Sequence, residues 1–310
     1  SSPMHALALL AIACLILAGP GAAASQAQSS SAPTMAQVLN EATAADWRQP
    51  DPENIVYMEI PQGRIVIELA PQFAPEHSAN IRRLARSGYW DGLAIVRVQD
   101  NYVVQWGDPD AEDAQQRKSL GEAKTTLPAE FERSSEGVHF TPIDSRDSYA
   151  PEVGFVDGFP AARDPARNKV WMAHCYGLVG AGRDNAADSS NGAELYVVIG
   201  HAPRHLDRNI TSVGRVLSGI EHLSALPRGP APMGFFTDPA KRIPITSIRL
   251  AADVPADQRL PIEVLRTDTA TFQRLVQARR ERREAWFVDP VGKIELCNVP
   301  VPVRLVTATH

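Results

Sequence analysis

The sequence has 310 residues, of which 44% are hydrophobic and 22% charged, and these proportions are typical of a globular protein. The formal net charge is −5, so the overall charge gives no indication of a nucleic-acid partner. The 25 prolines and 20 glycines favour many turns between short strands over a helical bundle. The length is sufficient for one large domain or two modest ones.

The first 24 residues are predicted to be a secretory signal peptide. Positions 6–18 form an apolar run, a Gly-Pro-Gly break follows at 19–21, and small residues at 22–24 offer a cleavage site. The run is too short to span a bilayer, and a buried core helix is the alternative interpretation. We therefore expect a periplasmic or secreted protein with no membrane contact after the signal is removed.

Two cysteines, Cys175 and Cys297, remain after the predicted cleavage. In an oxidising compartment two thiols of one domain often pair, so a disulfide between them is one prediction. Two separate buried thiols are the other.

Residues 25–53 are predicted to be a linker followed by a short helix, which begins after Thr34 and continues to Trp47. Two β-rich runs at 55–60 and 64–69 then flank a Gly-containing turn and predict a hairpin.

The next predicted element is a helix that begins at Pro75, because proline is favoured in the first turn. Its apolar residues are spaced to share one face, and Gly88 follows its end; they are Ala79, Ile81, Leu84 and Ala85.

The stretch 87–109 carries the most specific chemistry. An aromatic turn leads into an apolar strand that contains Arg97, and a second apolar strand contains Gln105 near its end. An arginine and a glutamine on paired apolar strands supply two fixed hydrogen-bonding groups on an apolar surface. Such a surface suits a substrate that is itself apolar and amide-like.

About eight motifs, in order over residues 54–250, resemble those of the cyclophilin-type peptidyl-prolyl isomerases. No single motif is specific, but the ordered set is. The matching residues are Gly63, Ile65 and Ile67–Leu69; Ala74, Pro75, Asn80 and Leu84; Trp90–Gly92; Ile95–Val98; Tyr102–Pro109; Pro128–Phe131; Val170–His174; Ser190–Val198; His205–Asp207; and Val213–Val216.

The resemblance implies a mainly β fold, a closed antiparallel eight-stranded barrel capped by two helices, with N- and C-terminal extensions. The second helix is expected over 217–226 and a closing strand over 243–250. Residues 133–168 have no counterpart in the family and are expected to be a long insert. Residues 251–310 are expected to form an appendage with a helix over 267–286 and a hairpin over 287–296.

The resemblance also assigns the site. Arg97 is the catalytic donor and Gln105 supports it, whereas an arginine paired with a carboxylate across the sheet is the structural alternative. The expected substrate-binding residues, for which plain core packing is the alternative, are Tyr102, Val103, Glu194, Leu195, Tyr196, His205, Leu206 and Ile210. No cofactor and no metal are implied, and the expected partners are proline-containing peptides or unfolded proteins.

Several of these positions depart from the family pattern. Val96 stands where the family often has histidine, Leu195 is expected at the position of a pocket phenylalanine, and Glu194 replaces glutamine. A carboxylate at 194 is expected to pair with Arg97 and compete with substrate, which predicts reduced activity. The alternative function is therefore a catalytically weak or inactive module that binds proline peptides.

Two other function classes have weaker support. His201, His205 and Asp207 have the residue types of a metal hydrolase, but Pro203 opposes the helix that would align them. The glycines at 177, 180 and 182 resemble a dinucleotide-binding loop, but no apolar helix follows, so a turn is predicted there.

Overall fold

The computed structural model describes residues 32–306, so the predicted signal peptide lies outside the described residues. The helices are α1 Met35–Glu41, α2 Pro75–Arg86, α3 Glu221–Ser224 and α4 Ala270–Glu281. None of the helices within 32–306 combines the length and the hydrophobicity that a membrane span requires.

Strands dominate the described part of the chain. In chain order they are β1 Trp47–Arg48, β2 Ile55–Ile60, β3 Gly63–Leu69, β4 Ala94–Val98, β5 Val103–Gly107, β6 Arg133–Ser134, β7 Thr141–Pro142, β8 Glu152–Val156, β9 Phe159–Asp164, β10 Lys169–Met172, β11 Leu178–Ala181, β12 Leu195–Val198, β13 Ser212–Ser218, β14 Ile243–Pro244, β15 Ser247–Leu250, β16 Ile262–Leu265 and β17 Val303–Leu305.

Nine strands form one curled antiparallel sheet in the order β14-β4-β5-β12-β11-β13-β3-β2-β15. Its two edge strands are consecutive in the chain and are separated only by Ile245 and Thr246. The amide of Ile245 donates to Leu93 beside β4 (2.9 Å), and that of Thr246 donates to Glu59 of β2 (2.9 Å). The predicted closing strand 243–250 is thus divided between the two edges of the sheet.

Two smaller sheets flank the large one. In the antiparallel sheet of order β6-β10-β9-β8-β7, the predicted insert at 133–168 supplies every strand except β10. The order β1-β16-β17 joins the N-terminal and C-terminal extensions in a single three-stranded sheet.

The large sheet is buried on both faces. Along β2, Val56, Met58 and Ile60 pack in a cluster with α2, whereas Ile55 and Tyr57 pack in a second cluster with α1, α4 and β16. Because side chains alternate along a strand, successive residues of this near-continuous apolar run pack into two different hydrophobic cores, one on each face of the sheet. The extensions therefore cover the outer face of the sheet.

The predicted hairpin at β2 and β3 and the helix from Pro75 are confirmed. Helix α1 begins at a capping box in which Thr34 and Gln37 exchange hydrogen bonds, and it ends at Glu41, short of the predicted Trp47. Thr269 caps α4 by accepting from the amide of Phe272.

Three predicted elements are wrong. Leu217 and Ser218 still belong to β13, and Gly219 has a positive φ of 85°, so the helix expected over 217–226 is the single turn α3. The hairpin expected over 287–296 is also wrong, because no residue of this segment pairs with a strand in the described part of the chain. A 3-10 turn lies at its end, over Leu296–Asn298.

The third is Val170–His174, which resembles a strand motif of the family and is therefore expected in the barrel. This segment lies in the five-stranded sheet as β10, and β11 is the strand that pairs with β12. Both segments are short and apolar, so only the long-range pairing distinguishes them.

A disulfide joins Cys175 to Cys297, with a Cα–Cα distance of 5.0 Å. Cys175 lies three residues before β11 of the large sheet, and Cys297 lies in the 3-10 turn of the C-terminal segment. The bond therefore ties the C-terminal extension to the sheet.

Candidate active site

A β-bulge turns Arg97 out of the core. Ile95 pairs with Trp106 and Arg97 pairs with Gln105, so Val96 is an extra residue in β4. Without the bulge, positions 95 and 97 would face the same side of the strand. With it, Ile95 stays buried in the core while the side chain of Arg97 lines an open groove.

Three hydrogen bonds hold the guanidinium of Arg97. Nε donates to the carbonyl of Met233 (2.7 Å), Nη1 donates to Oε1 of Gln105 (3.0 Å), and Nη2 donates to the side chain of Gln99. The Tyr102 and Phe235 rings lie 5.6 Å and 5.0 Å from Cζ. Burial lowers the pKa of Arg97, an effect that the charges of Tyr102 and Glu194 partly offset.

Gln105 connects Arg97 to Glu194. Its oxygen accepts from Arg97 and its amide nitrogen donates to a carboxylate oxygen of Glu194. The expected direct pairing of Glu194 with Arg97 is therefore wrong, because Gln105 stands between them. Burial raises the pKa of Glu194, while its bond from Gln105 acts in the opposite direction.

The groove beside Arg97 has a volume of about 1300 Å³. Six of the eight residues predicted to bind substrate line it: Tyr102, Val103, Glu194, Tyr196, Leu206 and Ile210. The apolar members among them line the same groove as the guanidinium.

The other two predicted binding residues lie elsewhere. Leu195 pairs with Trp106 and is buried in the core with α2, so it is on the opposite face of β12 from the groove. The neighbouring Tyr196 pairs with Gln105 and supplies the aromatic wall that was expected at 195. His205 is exposed and does not line the groove, because it lies in the 3-10 turn Arg204–Leu206, which directs Leu206 to the groove instead.

Tyr196 is held from behind by a buried network. Its hydroxyl lies 2.7 Å from Nε2 of His174, and Nδ1 of His174 lies 2.8 Å from Oδ1 of Asp207. Burial lowers the pKa of His174, so we take the ring as neutral, with Nδ1–H donating to Asp207 and Nε2 accepting from the tyrosine. Arg204 continues the network from Asp207 to Asp147 of the insert.

Gly180 gives Tyr196 room on the neighbouring strand β11. A Cβ at this position would lie 2.1 Å from the tyrosine hydroxyl oxygen and 2.2 Å from Cζ. Gly180, predicted from the sequence to lie in a turn, is therefore a strand residue. A glycine in a strand often marks a place where another group approaches the backbone closely, and here that group is the ring of Tyr196.

The histidines considered as metal ligands do not converge. His201 and His205 are exposed, and Asp207 is bonded by His174 and Arg204. Within residues 32–306 no group of three or more histidine, cysteine or acidic side chains is arranged to hold a metal ion.

Residues 55–250 match the family model described as "Cyclophilin type peptidyl-prolyl cis-trans isomerase/CLD". The chain belongs to the family of cyclophilin-type peptidyl-prolyl cis-trans isomerases. Its activity is accordingly that of a peptidyl-prolyl cis-trans isomerase, and the names of the curated relatives refer to the same activity.

A protein of Brucella suis named "Probable peptidyl-prolyl cis-trans isomerase" is 27% identical over 203 residues, covering 63% of this chain and 83% of the relative. "Peptidyl-prolyl cis-trans isomerase-like 2" of Rhizopus delemar is 24% identical, covering 83% of this chain and 43% of the relative. The crystal structure of cyclophilin AquaCyp293 from Hirschia baltica matches with a TM-score of 0.67 and 27% identity, covering 87% of this chain and all of that chain.

In this cyclophilin, two residues of the site have no signal in the sequence. Met233 and Phe235 come from the long loop after α3, far from Arg97 along the chain. They are apolar residues in a Pro- and Gly-rich loop, and this feature of the sequence does not indicate a role in the site. The bond from Arg97 to Met233, and the ring contact and isolated β-bridge between Arg97 and Phe235, show their role at the groove.

Proposed function

We propose that Arg97 is the catalytic donor and that the groove isomerises X–Pro bonds of peptides or folding proteins. The observation that supports the proposal most directly is that the guanidinium of Arg97 keeps N–H groups without a hydrogen-bond partner within residues 32–306. It has five N–H groups, of which the three hydrogen bonds use one each on Nε, Nη1 and Nη2. One N–H on each Nη nitrogen has no partner among the described residues, and the side chain lines the groove.

These free N–H groups fit the chemistry of the reaction. Rotation about an X–Pro bond has a barrier of about 20 kcal/mol because resonance must be lost. When the amide twists, a lone pair develops on the prolyl nitrogen, and a donor aimed at it stabilises the transition state more than either planar form. Because Arg97 is half-buried among apolar and aromatic groups, its hydrogen bond to that nitrogen is stronger than it would be in water.

Gln105 and the pocket residues complete the site. Gln105 fixes the plane of the guanidinium, and Glu194 fixes which end of the Gln105 amide faces Arg97. Val103 and Tyr196 offer an apolar wall for the proline ring, with Leu206 and Ile210 at its edge. This set needs no nucleophile and no cofactor.

The test is an isomerisation assay on a proline-containing tetrapeptide. We expect Arg97→Ala to lower kcat/KM by about a hundredfold, as removal of a transition-state donor does. Arg97→Lys should restore little, because a point charge does not reproduce a planar fork. Arg249→Ala is the control, since this exposed arginine on β15 is away from the groove. If Arg97→Ala is as fast as the wild type, the assignment fails.

We also propose that the nine-stranded sheet is a closed barrel of eight strands, in which β14 and β15 count as one strand. The isomerase domain would then span 54–250, with 251–310 as an appendage. Support comes from the edge strands β14 and β15, which are halves of one segment whose central amides bond to opposite edges. Amide hydrogen exchange tests this: Ile245 and Thr246 should be protected as strongly as the central strands. Rapid exchange at both would favour an open sheet.

We propose that the enzyme works in an exported compartment. The signal-like segment at 1–24 and the disulfide both support this location, because disulfides persist in oxidising compartments. Expression of the full chain in a Gram-negative host, followed by fractionation and N-terminal sequencing, tests it. A protein that keeps its first 24 residues and stays in the cytoplasm would contradict the proposal.

A further inference from the structure

A second cavity, away from the groove, lies where the C-terminal segment packs on the large sheet. Its volume is about 340 Å³. Arg215 of β13 and Arg279 of α4 line it together with both cysteines of the disulfide. No aspartate or glutamate of residues 32–306 lines this cavity.

Arg215 has no carboxylate of its own. Its Nε is buried without a hydrogen-bond partner among the described residues, and its Nη2 makes only a long bond of 3.5 Å to the carbonyl of Val301. Glu68, whose charge acts on Arg215, has both oxygens bonded by Arg48 at 2.6 Å. Burial lowers the pKa of Arg215 to about 10, so the side chain is still charged at neutral pH.

Arg279 is also unpaired within the described part of the chain. Its Nε is buried with no hydrogen-bond partner, and no ion pair joins its guanidinium to a carboxylate. Burial and the like charge of Arg282 both lower its pKa, and the charge of Glu284, which makes no ion pair with it in the described structure, acts in the opposite direction. Two other side chains at the cavity, Tyr176 and Asn298, can donate hydrogen bonds to a ligand.

A cation that is partly desolvated and unpaired is unfavourable, and an anion bound against it removes that penalty. Guanidinium groups bond preferentially to the paired oxygens of carboxylates and phosphates. We propose that this cavity binds a small oxyanion, a phosphate or a carboxylate, between Arg215 and Arg279. The proposal stands independently of the isomerase site, which shares no lining residue with this cavity.

The position of the disulfide gives the proposal a second consequence. Cys175 and Cys297 form part of the cavity wall. An anion in the cavity therefore lies against the disulfide and slows the approach of a thiolate, which is itself an anion. Binding and protection from reduction should depend on the same two arginines.

The first experiment is calorimetric titration of the oxidised full chain with inorganic phosphate and, separately, with acetate at constant ionic strength. We expect one site for at least one of these anions, with Kd in the millimolar range. Arg279→Gln should weaken binding by about tenfold or more, as loss of a charge-assisted hydrogen bond does. Arg274→Gln is the matched control, because it is on the same helix, pairs with Glu41 at 2.6 Å and does not line the cavity.

The second experiment measures the rate of disulfide reduction by dithiothreitol with and without the bound anion. We expect the anion to slow reduction severalfold in the wild type and in Arg274→Gln, and to have no effect in Arg279→Gln. The isomerase rate of each variant, measured on the same samples, should be unchanged and reports that the fold is intact. Arg215→Gln should behave like Arg279→Gln, and if it does not fold, Arg279→Gln alone decides.

Three results would overturn the proposal. They are a wild type that binds neither phosphate nor acetate, an Arg279→Gln variant that binds as tightly as the wild type, and an equal loss of binding in Arg274→Gln. A preference for phosphate would assign a tetrahedral ligand and a preference for acetate a carboxylate, and either supports the site.

Discussion

His174 is expected to be a main buried support of the isomerase pocket, and His174→Phe is the perturbation that tests it. The histidine is fully buried and bridges the Tyr196 hydroxyl and Asp207. Phenylalanine keeps a ring in place but removes the bond to a carboxylate and leaves the buried tyrosine hydroxyl without its acceptor. With about 1.5–3 kcal/mol for the charge-assisted bond and about 1–3 kcal/mol for the orphaned hydroxyl, we expect a loss of roughly 2.5–6 kcal/mol in the free energy of unfolding.

The pH dependence follows from the same burial. The pKa of His174 is lower in the folded protein than its usual value of 6.5, with burial as the largest cause and the bond to Asp207 acting in the opposite direction. As the pH falls below about 6.5, protons therefore bind the unfolded chain first and stability is lost. The contribution of His174 is complete above this pH and declines by at most about 1.4 kcal/mol per pH unit below it.

Urea unfolding followed by circular dichroism, at about pH 7.5 and about pH 5.5, measures both effects. The wild type should lose more stability than His174→Phe between the two pH values, by an amount approaching 1.4 kcal/mol (about one pH unit of linkage). His205→Gln is the control, because this histidine is exposed and should change stability by about 0.5 kcal/mol or less. A destabilisation below about 1 kcal/mol, or the same pH dependence in the wild type and in His174→Phe, would refute the reasoning.

Three further predictions follow from contacts already described. Thiol titration of the unfolded, non-reduced chain should find neither Cys175 nor Cys297 free, and replacing both by alanine should lower stability by about 4–5 kcal/mol because a long loop is released; two titratable thiols would contradict this. Gly180→Ala should raise KM and lower stability by about 1–3 kcal/mol, since the new methyl group displaces Tyr196; unchanged kinetics would count against it. Because burial raises the pKa of Glu194, acidification should lower kcat/KM in the wild type but not in Glu194→Gln, and identical pH profiles would exclude this role.

The family, the hairpin of β2 and β3, and helix α2 could all be predicted from the sequence. The motifs around Arg97 and Gln105 are local, and so are the proline at the start of α2 and the turn before β3. Such features depend on residues within a few positions of each other, which is why they could be predicted without long-range contacts.

The face of the sheet on which a strand residue lies could not be predicted, because it depends on contacts between distant parts of the chain. Leu195 and Tyr196 are adjacent in an apolar run, and the period of two means that an error of one residue exchanges core for pocket. The bulge at Val96 moves Arg97 to the groove in the same way. Pairing of β12 with β5 and β11, and of β4 with β5, fixes these registers, and no local pattern encodes such pairing.

Long-range pairing also decides which of two similar segments belongs to the large sheet. β10 and β11 are both short apolar strands, and the two extensions form a sheet in which β1 pairs with β16, a strand far away in the chain. The network from Tyr196 through His174 to Asp147 likewise joins residues that no motif connects. The sequence gives the identity of each residue in this network. Its hydrogen-bond partner follows only from the whole fold, because buried polar groups must find partners wherever the fold places them.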